Sequence, residues 1–244
     1  MTVKSHKGCG PIGKLSPKPV ELLVCFAVKE EARFFMEGMV YRSEDAAPEP
    51  RRPLYQVWMT GMGRRNALEG IRNAIALVQP KRVITAGFAG GLNPNLKFGT
   101  ILYDEDYNTG FASQLEQLGA FRAVFFCHRR VAITAVEKAA LWQSTGADAV
   151  EMESSVIRTI CREHKIPSAT IRVISDDATQ DLPLDFNALM TPEDRIHYPK
   201  LIWAVLSRPG RIGRVMAFQQ QTTEASRHLG AVLAQLLRTE HNSQ

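Results

Sequence analysis

The feature that most constrains this chain is a recurring pair: a short, almost unbroken apolar run followed by a segment with helical spacing. Leu22 to Val28, the stretch 82–86 and the stretch 168–174 are such runs. They are too continuous for strands with one wet face and suit strands buried on both. Between the first two, Ala67, Ile71, Ala74, Ile75 and Val78 fall on one side of a helix. Strands are predicted over 21–28, 54–60, 82–86, around 100–103 and 122–126, over 147–150 and over 168–174. Helices are predicted over 29–38, ended by Gly38, from Gly63 onward, over 134–144, over 152–164, and at the C-terminus, where Leu229, Val232, Leu233, Leu236 and Leu237 share a face. This alternation predicts an α/β fold with a mostly parallel sheet covered on both sides.

Breakers set the organisation. Residues 1–20 hold three Gly and three Pro among lysines and read as a flexible tail, leaving 21–244 as a single domain. The stretch 43–53, with three Pro, reads as a surface loop. Apolar runs are too short to span a bilayer, and no apolar signal core follows the basic start. The four cysteines, Cys9, Cys25, Cys127 and Cys161, form no C-x-x-C pair. They imply neither a disulfide framework nor a zinc site, and a cytoplasmic location is expected. A net charge of +5 without an aromatic-interleaved basic patch gives no reason to expect a nucleic-acid partner.

Five segments carry polar residues at strand ends. Lys29-Glu30-Glu31-Ala32-Arg33 follows a buried strand, where a helix dipole favours a carboxylate facing the crevice. Thr60-Gly61-Met62-Gly63 is a tight turn whose N–H groups can approach an anion, although Asn66 stands where a dinucleotide fingerprint needs its last glycine. Three glycines at Gly87, Gly90 and Gly91 permit close approach of a ligand to backbone, and are expected to break the strand there. Glu151 and Glu153 cannot face the same way on a helix, so one of them can grip vicinal hydroxyls while the other does something else. Ser175-Asp176-Asp177 places acids beyond a buried strand that also contains Arg172; such groups are expensive to desolvate without a purpose. For each, capping, solvation or a structural ion pair is the competing explanation.

Together, Ala149-Val150-Glu151-Met152-Glu153 with Arg172-Val173-Ile174-Ser175-Asp176 downstream resembles the purine nucleoside phosphorylase and methylthioadenosine/S-adenosylhomocysteine nucleosidase superfamily, over residues 22–178. The resemblance implies a three-layer α/β fold with a mixed, partly barrel-like central sheet. By motif, Glu31 would help activate water, Met152 and Glu153 would line the ribose site, and Asp176, held by Ser175, would protonate the purine. Arg172 would lie beside the nucleophile, with Glu151, Gly63, Gly87 and Phe88 completing the substrate site. No cofactor or metal is implied. The partners implied are a purine nucleoside and a second copy of the chain in a homodimer.

The segments 134–155 and 206–218, with Glu31-Ala32-Arg33, resemble hopanoid-associated nucleosidases, which act on adenosylhopane. A lipid-linked substrate would give the Arg208, Arg211 and Arg214 cluster a peripheral membrane contact. Thr85 and Phe88 stand where hexameric phosphorylases place Arg and Ser around phosphate, which favours water as nucleophile. Phe88 is also expected to crowd the site. The segment 99–131, which supplies the base pocket in the family, is short here, and His128-Arg129-Arg130 replaces a Ser or Gly followed by Asp. Phosphorolysis, or a non-catalytic nucleoside-binding or membrane-associated role, are the alternatives.

Overall fold

A computed structural model describes residues 19–43, 55–106, 109–191, 193, 197, 199–200, 203, 210 and 212–242, with side chains omitted for 39–43 and 240–242. Eight strands form one mixed sheet: β1 (Leu22–Phe26), β2 (Tyr55–Met59), β3 (Arg82–Gly91), β4 (Ile101–Glu105), β5 (Phe121–Arg122), β6 (Phe125–Cys127), β7 (Ala149–Glu151) and β8 (Ser168–Asp176). The order is β2-β1-β3-β8-β4-β5, with β7 leaving β3 antiparallel and β6 pairing β7, so the sheet forks and is not closed. β1, β2, β3 and β8 are parallel, and their carboxyl ends lie on one edge.

Helices cover both faces, as strands buried on both sides require. On one face Val24, Phe26, Ile84 and Ile171 pack against Phe35 of α1 (Lys29–Ser43) and Leu229 and Leu233 of α7 (Ile212–Asn242). On the other, Leu23, Cys25 and Val83 meet α2 (Gly63–Val78) and α5 (Ser154–Glu163), with Ala67, Ile71, Ala74, Ile75 and Val78 all buried as their spacing predicts. Three shorter helices are α3 (Ala112–Gln117), α4 (Ala135–Thr145) and α6 (Phe186–Leu189). Thr134 caps α4 by accepting from the Glu137 N–H at 3.1 Å, as the sequence spacing requires.

Two expectations about glycine are corrected. Gly38 does not end α1, which runs on to Ser43; a Cβ at this position would meet nothing within 4 Å beyond its own helix, and docking of α1 on α7 outweighs the roughly 1 kcal/mol cost of a helical glycine. That docking is close: a Cβ on Gly230 would lie 2.7 Å from the Phe35 amide nitrogen. The glycine segment 87–91 does not break its strand either, because β3 continues to Gly91. Its glycines serve close approach instead, since a Cβ on Gly87 would meet Glu31 Oε1 at 2.5 Å. The helix α3 had no forecast. The segment 1–18, most of the 43–53 loop, Arg208 and Arg211 lie outside the described residues.

Candidate active site

The carboxyl edge of the sheet gathers two buried polar groups. The first begins with Glu31, in the first turn of α1. Its Oε2 accepts from the N–H groups of Ala27 (3.0 Å) and Val28 (3.3 Å), and its Oε1 from Phe88 N–H (2.8 Å). Ser226 of α7 fixes that turn by donating to the Glu30 and Glu31 carbonyls at 2.8 and 3.2 Å. The Phe88 ring joins the core beneath α1 and α7, so its contribution to Glu31 is its backbone N–H.

Glu151 ends β7, and its carboxylate starts α5. It accepts from the N–H groups of Glu153 (3.0 Å) and Ser154 (2.7 Å) and from Ser154 Oγ (2.8 Å). Arg172 Nη2 reaches the same carboxylate at 2.8 Å and donates to Thr85 Oγ1 at 3.2 Å. The Arg172 Nε and Nη1 groups are buried and find no protein acceptor. Glu153, at the N-cap of α5, accepts from the Gly63 N–H at 2.7 Å. Gly63 can turn that N–H inward because its φ of 79° is one that glycine adopts freely. The anion met by this turn is therefore the protein's own Glu153. Met152, between the two glutamates, is buried.

Three carboxyl groups thus share one guanidinium. Burial, with Glu151 and then Glu31 adding repulsion, pushes Glu153 up to about 8 against the pull of Arg172. Burial likewise raises Glu31, opposed by Arg172 and by its three backbone donors. Burial would raise Glu151 too, but Arg172 and the Ser154 donors hold it below the usual carboxylate range. The cluster thus sets a Glu151–Arg172 ion pair beside a Glu153 carboxyl that is made to hold its proton more tightly.

The second group sits at the end of β8. A bulge there pairs Ala89 with Ile174 but Gly90 with Asp176, so Ser175 is the extra residue. Ser175 Oγ donates to Asp176 Oδ1 at 2.7 Å. A Cβ on Gly90 would lie 3.4 Å from Asp176 Oδ2, so the glycine leaves the carboxylate room. Lys138 Nζ of α4 stands 2.5 Å from Asp176 Oδ2 and donates to the carbonyls of Asp177 and Gln180, each at 2.8 Å. Burial raises Asp176, while the Lys138 ammonium and the Ser175 hydroxyl work against that rise. Gln221 of α7 closes this corner, donating to the Ser175 carbonyl at 2.7 Å and exchanging amide hydrogen bonds with Gln180.

A cavity of about 860 Å³ adjoins the edge, lined by Ala27, Val28, Met59, Thr60, Gly61 and Met62 among others. It reaches both the Glu31 donors and the turn that contacts Glu153, and its size is that of a small-molecule site. Among the described residues no cluster of His, Cys, Asp and Glu could hold a metal ion. Cys25, Cys127 and Cys161 are free, and no described helix is long and apolar enough to cross a membrane.

The fold thus brings Glu31, Gly63, Gly87, Phe88, Glu151, Glu153 and Arg172 together, and sets Ser175 and Asp176 on the same edge of the sheet. Sequence reasoning missed the chemistry of Lys138, Thr85 and Gln221. A lysine one position after a capping glutamate reads as solvated, and nothing local marks it as the one buried side chain of α4.

The chain is similar to known proteins in sequence and in fold. The family described as Phosphorylase superfamily matches residues 121–207. The 5′-methylthioadenosine/S-adenosylhomocysteine nucleosidase of Glaesserella parasuis is 27% identical over 164 residues, 54% of this chain and 71% of its own. That of Haemophilus ducreyi is 29% identical over 165 residues, with the same two coverages. Among solved structures, the futalosine hydrolase of Helicobacter pylori superposes with a TM-score of 0.63 at 15% identity, covering 90% of this chain and 98% of its own. The Campylobacter jejuni 5′-methylthioadenosine/S-adenosylhomocysteine nucleosidase gives 0.63 at 13% identity, covering 90% and 99%. Over residues 121–207 the chain is similar to the phosphorylase superfamily, and its fold is that of the nucleosidase structures.

Proposed function

We propose that this protein is a nucleosidase that cleaves the N-glycosidic bond of a 5′-substituted adenosine and releases adenine by attack of water. The observation that carries this reading is the convergence of the Glu31, Glu153 and Arg172 cluster with Asp176 on one sheet edge, beside a cavity. Glu153, with Met152 beneath it, grips the ribose hydroxyls. Asp176 gives a proton to the purine ring, which makes the base a better leaving group as the sugar becomes cation-like. Glu31, as a carboxylate, stabilises that positive charge and takes a proton from the attacking water. Two sequence relatives carry the name of nucleosidases with this chemistry, which supports the reading.

Water is favoured over phosphate on electrostatic grounds. The Arg172 guanidinium is already paired with Glu151, so a phosphate dianion entering there would find no uncompensated positive charge. The two unpartnered N–H groups of Arg172 are the one observation that favours an oxyanion, and phosphorolysis is the second reading on that account. The apolar lining at Met59 and Met62 suits a bulky 5′ substituent, adenosylhopane being the largest considered. A homodimer in the cytoplasm is part of the same proposal. For a lipid-linked substrate, exposed Arg214 and Met216 at the start of α7 would face a membrane surface.

The test is a panel of 5′-substituted adenosines, with and without phosphate, read by release of adenine. Adenine and free sugar without phosphate are expected, with Asp176→Asn nearly inactive. Phosphate-dependent formation of ribose 1-phosphate would move the assignment to phosphorolysis. Binding of adenine without any turnover would leave a binding protein.

A further inference from the structure

Lys138 is the only buried residue of α4, fully shut from solvent, and it lies outside the residues that the proposed reaction uses. Its three neighbours are all acceptors: Asp176 Oδ2 at 2.5 Å and the carbonyls of Asp177 and Gln180 at 2.8 Å. Three acceptors require three hydrogens, so the geometry holds an ammonium and not an amine. Asp176 is then a carboxylate with Lys138 on Oδ2 and the Ser175 hydroxyl on Oδ1.

We infer that Lys138 is a positioning residue for the proposed acid: it stabilises the carboxylate that remains once Asp176 has delivered its proton, and so keeps a buried acid willing to part with it. This rests on the nucleosidase reading. In that step the Asp176 O–H bond breaks, an N–H bond forms on the departing base, and the C1′–N electron pair leaves with the base. Water adds to C1′, and its proton goes to Glu31. The arrangement around Asp176 in this structure is that of the conjugate base. The charged side chains facing Asp176 are Lys138 from α4 and Asp177 from the segment after β8. Removing the first leaves burial and a like charge, both of which make the acid cling to its proton.

The experiment compares Lys138→Met with the unaltered protein on two substrates. One is 5′-methylthioadenosine, whose leaving group needs a proton; the other is p-nitrophenyl β-riboside, whose leaving group does not. Adenine release is expected to fall about 100-fold, with the basic limb of the kcat/KM profile moving to higher pH. Turnover of the p-nitrophenyl riboside should stay within about threefold, which also reports an intact fold. In an Asp176→Asn background, Lys138→Met should change adenine release no further. An unmoved pH limb with unchanged adenine release would overturn the inference, as would equal loss on both substrates or an undiminished loss in the Asp176→Asn background. An unaltered protein that releases no adenine would instead sink the nucleosidase reading itself.

Discussion

The two buried acid groups on the sheet edge are built in opposite ways. Around Arg172, three carboxyl groups compete for one cation, and Glu153 is pushed up to about 8. At the end of β8, Asp176 has its own ammonium in Lys138 and its own hydroxyl in Ser175. Burial raises both carboxyl groups, but the first also meets like charges while the second has a cation and a hydroxyl that work against the rise. Neutral charge and directed hydrogen bonds suit a sugar grip, whereas a proton donor needs a stabilised conjugate base. The difference comes from how many carboxyl groups share the one cation within reach, because burial is nearly complete in both.

The comparison can be broken at several points. The largest effect is expected for Asp176→Asn, which keeps the shape of the corner but cannot donate a carboxyl proton; adenine release should fall by about 10²–10⁴-fold in steady-state assays. The Lys138→Met experiment then asks whether the cation makes that acid effective. Arg172→Met removes the only cation of the other group. It should lower stability by about 3–5 kcal/mol in urea titrations at neutral pH, because Glu151 is left buried without its partner. Stability unchanged by that substitution would show that the Ser154 donors alone hold Glu151.

Glu153→Gln tests the protonation contrast. The folded-state value for Glu153, about 8, lies above its ordinary 4.5. Its contribution is therefore fully present below pH 4.5 and is lost as pH rises through 8. The variant should flatten the decline in stability between these values, by on the order of a few kcal/mol. A residual slope from Glu31, raised in the same direction, should remain. The smallest effect is expected for Thr134→Ala, which removes the cap of the helix carrying Lys138. A loss of about 1 kcal/mol is expected in chemical denaturation.

Particular residues mark where sequence reasoning stopped. The α2 face from Ala67 to Val78 and the Thr134 cap follow from local periodicity and local hydrogen bonding, and both hold. The glycines at 87, 90 and 91 were visible as a signal of close approach, but the expected break was wrong because what approaches is Glu31 at Gly87, Val150 and Asp176 at Gly90 and the chain after β8 at Gly91, all along a continuous strand. Gly38 failed as a helix stop for a related reason, since α1 is held by α7, far along the chain.

What this sequence determined by itself is the layered α/β plan and the set of chemical groups at the strand ends. Runs of apolar residues and helical spacing are local patterns, and hydrophobic burial acts on them wherever they occur. Only the tertiary structure decided which of those groups share a cation. Lys138 comes from α4 and Asp176 from β8, while Arg172 meets a carboxylate from the end of β7. Electrostatic interaction depends on distances between side chains that are far apart in the chain, and no local pattern encodes those distances.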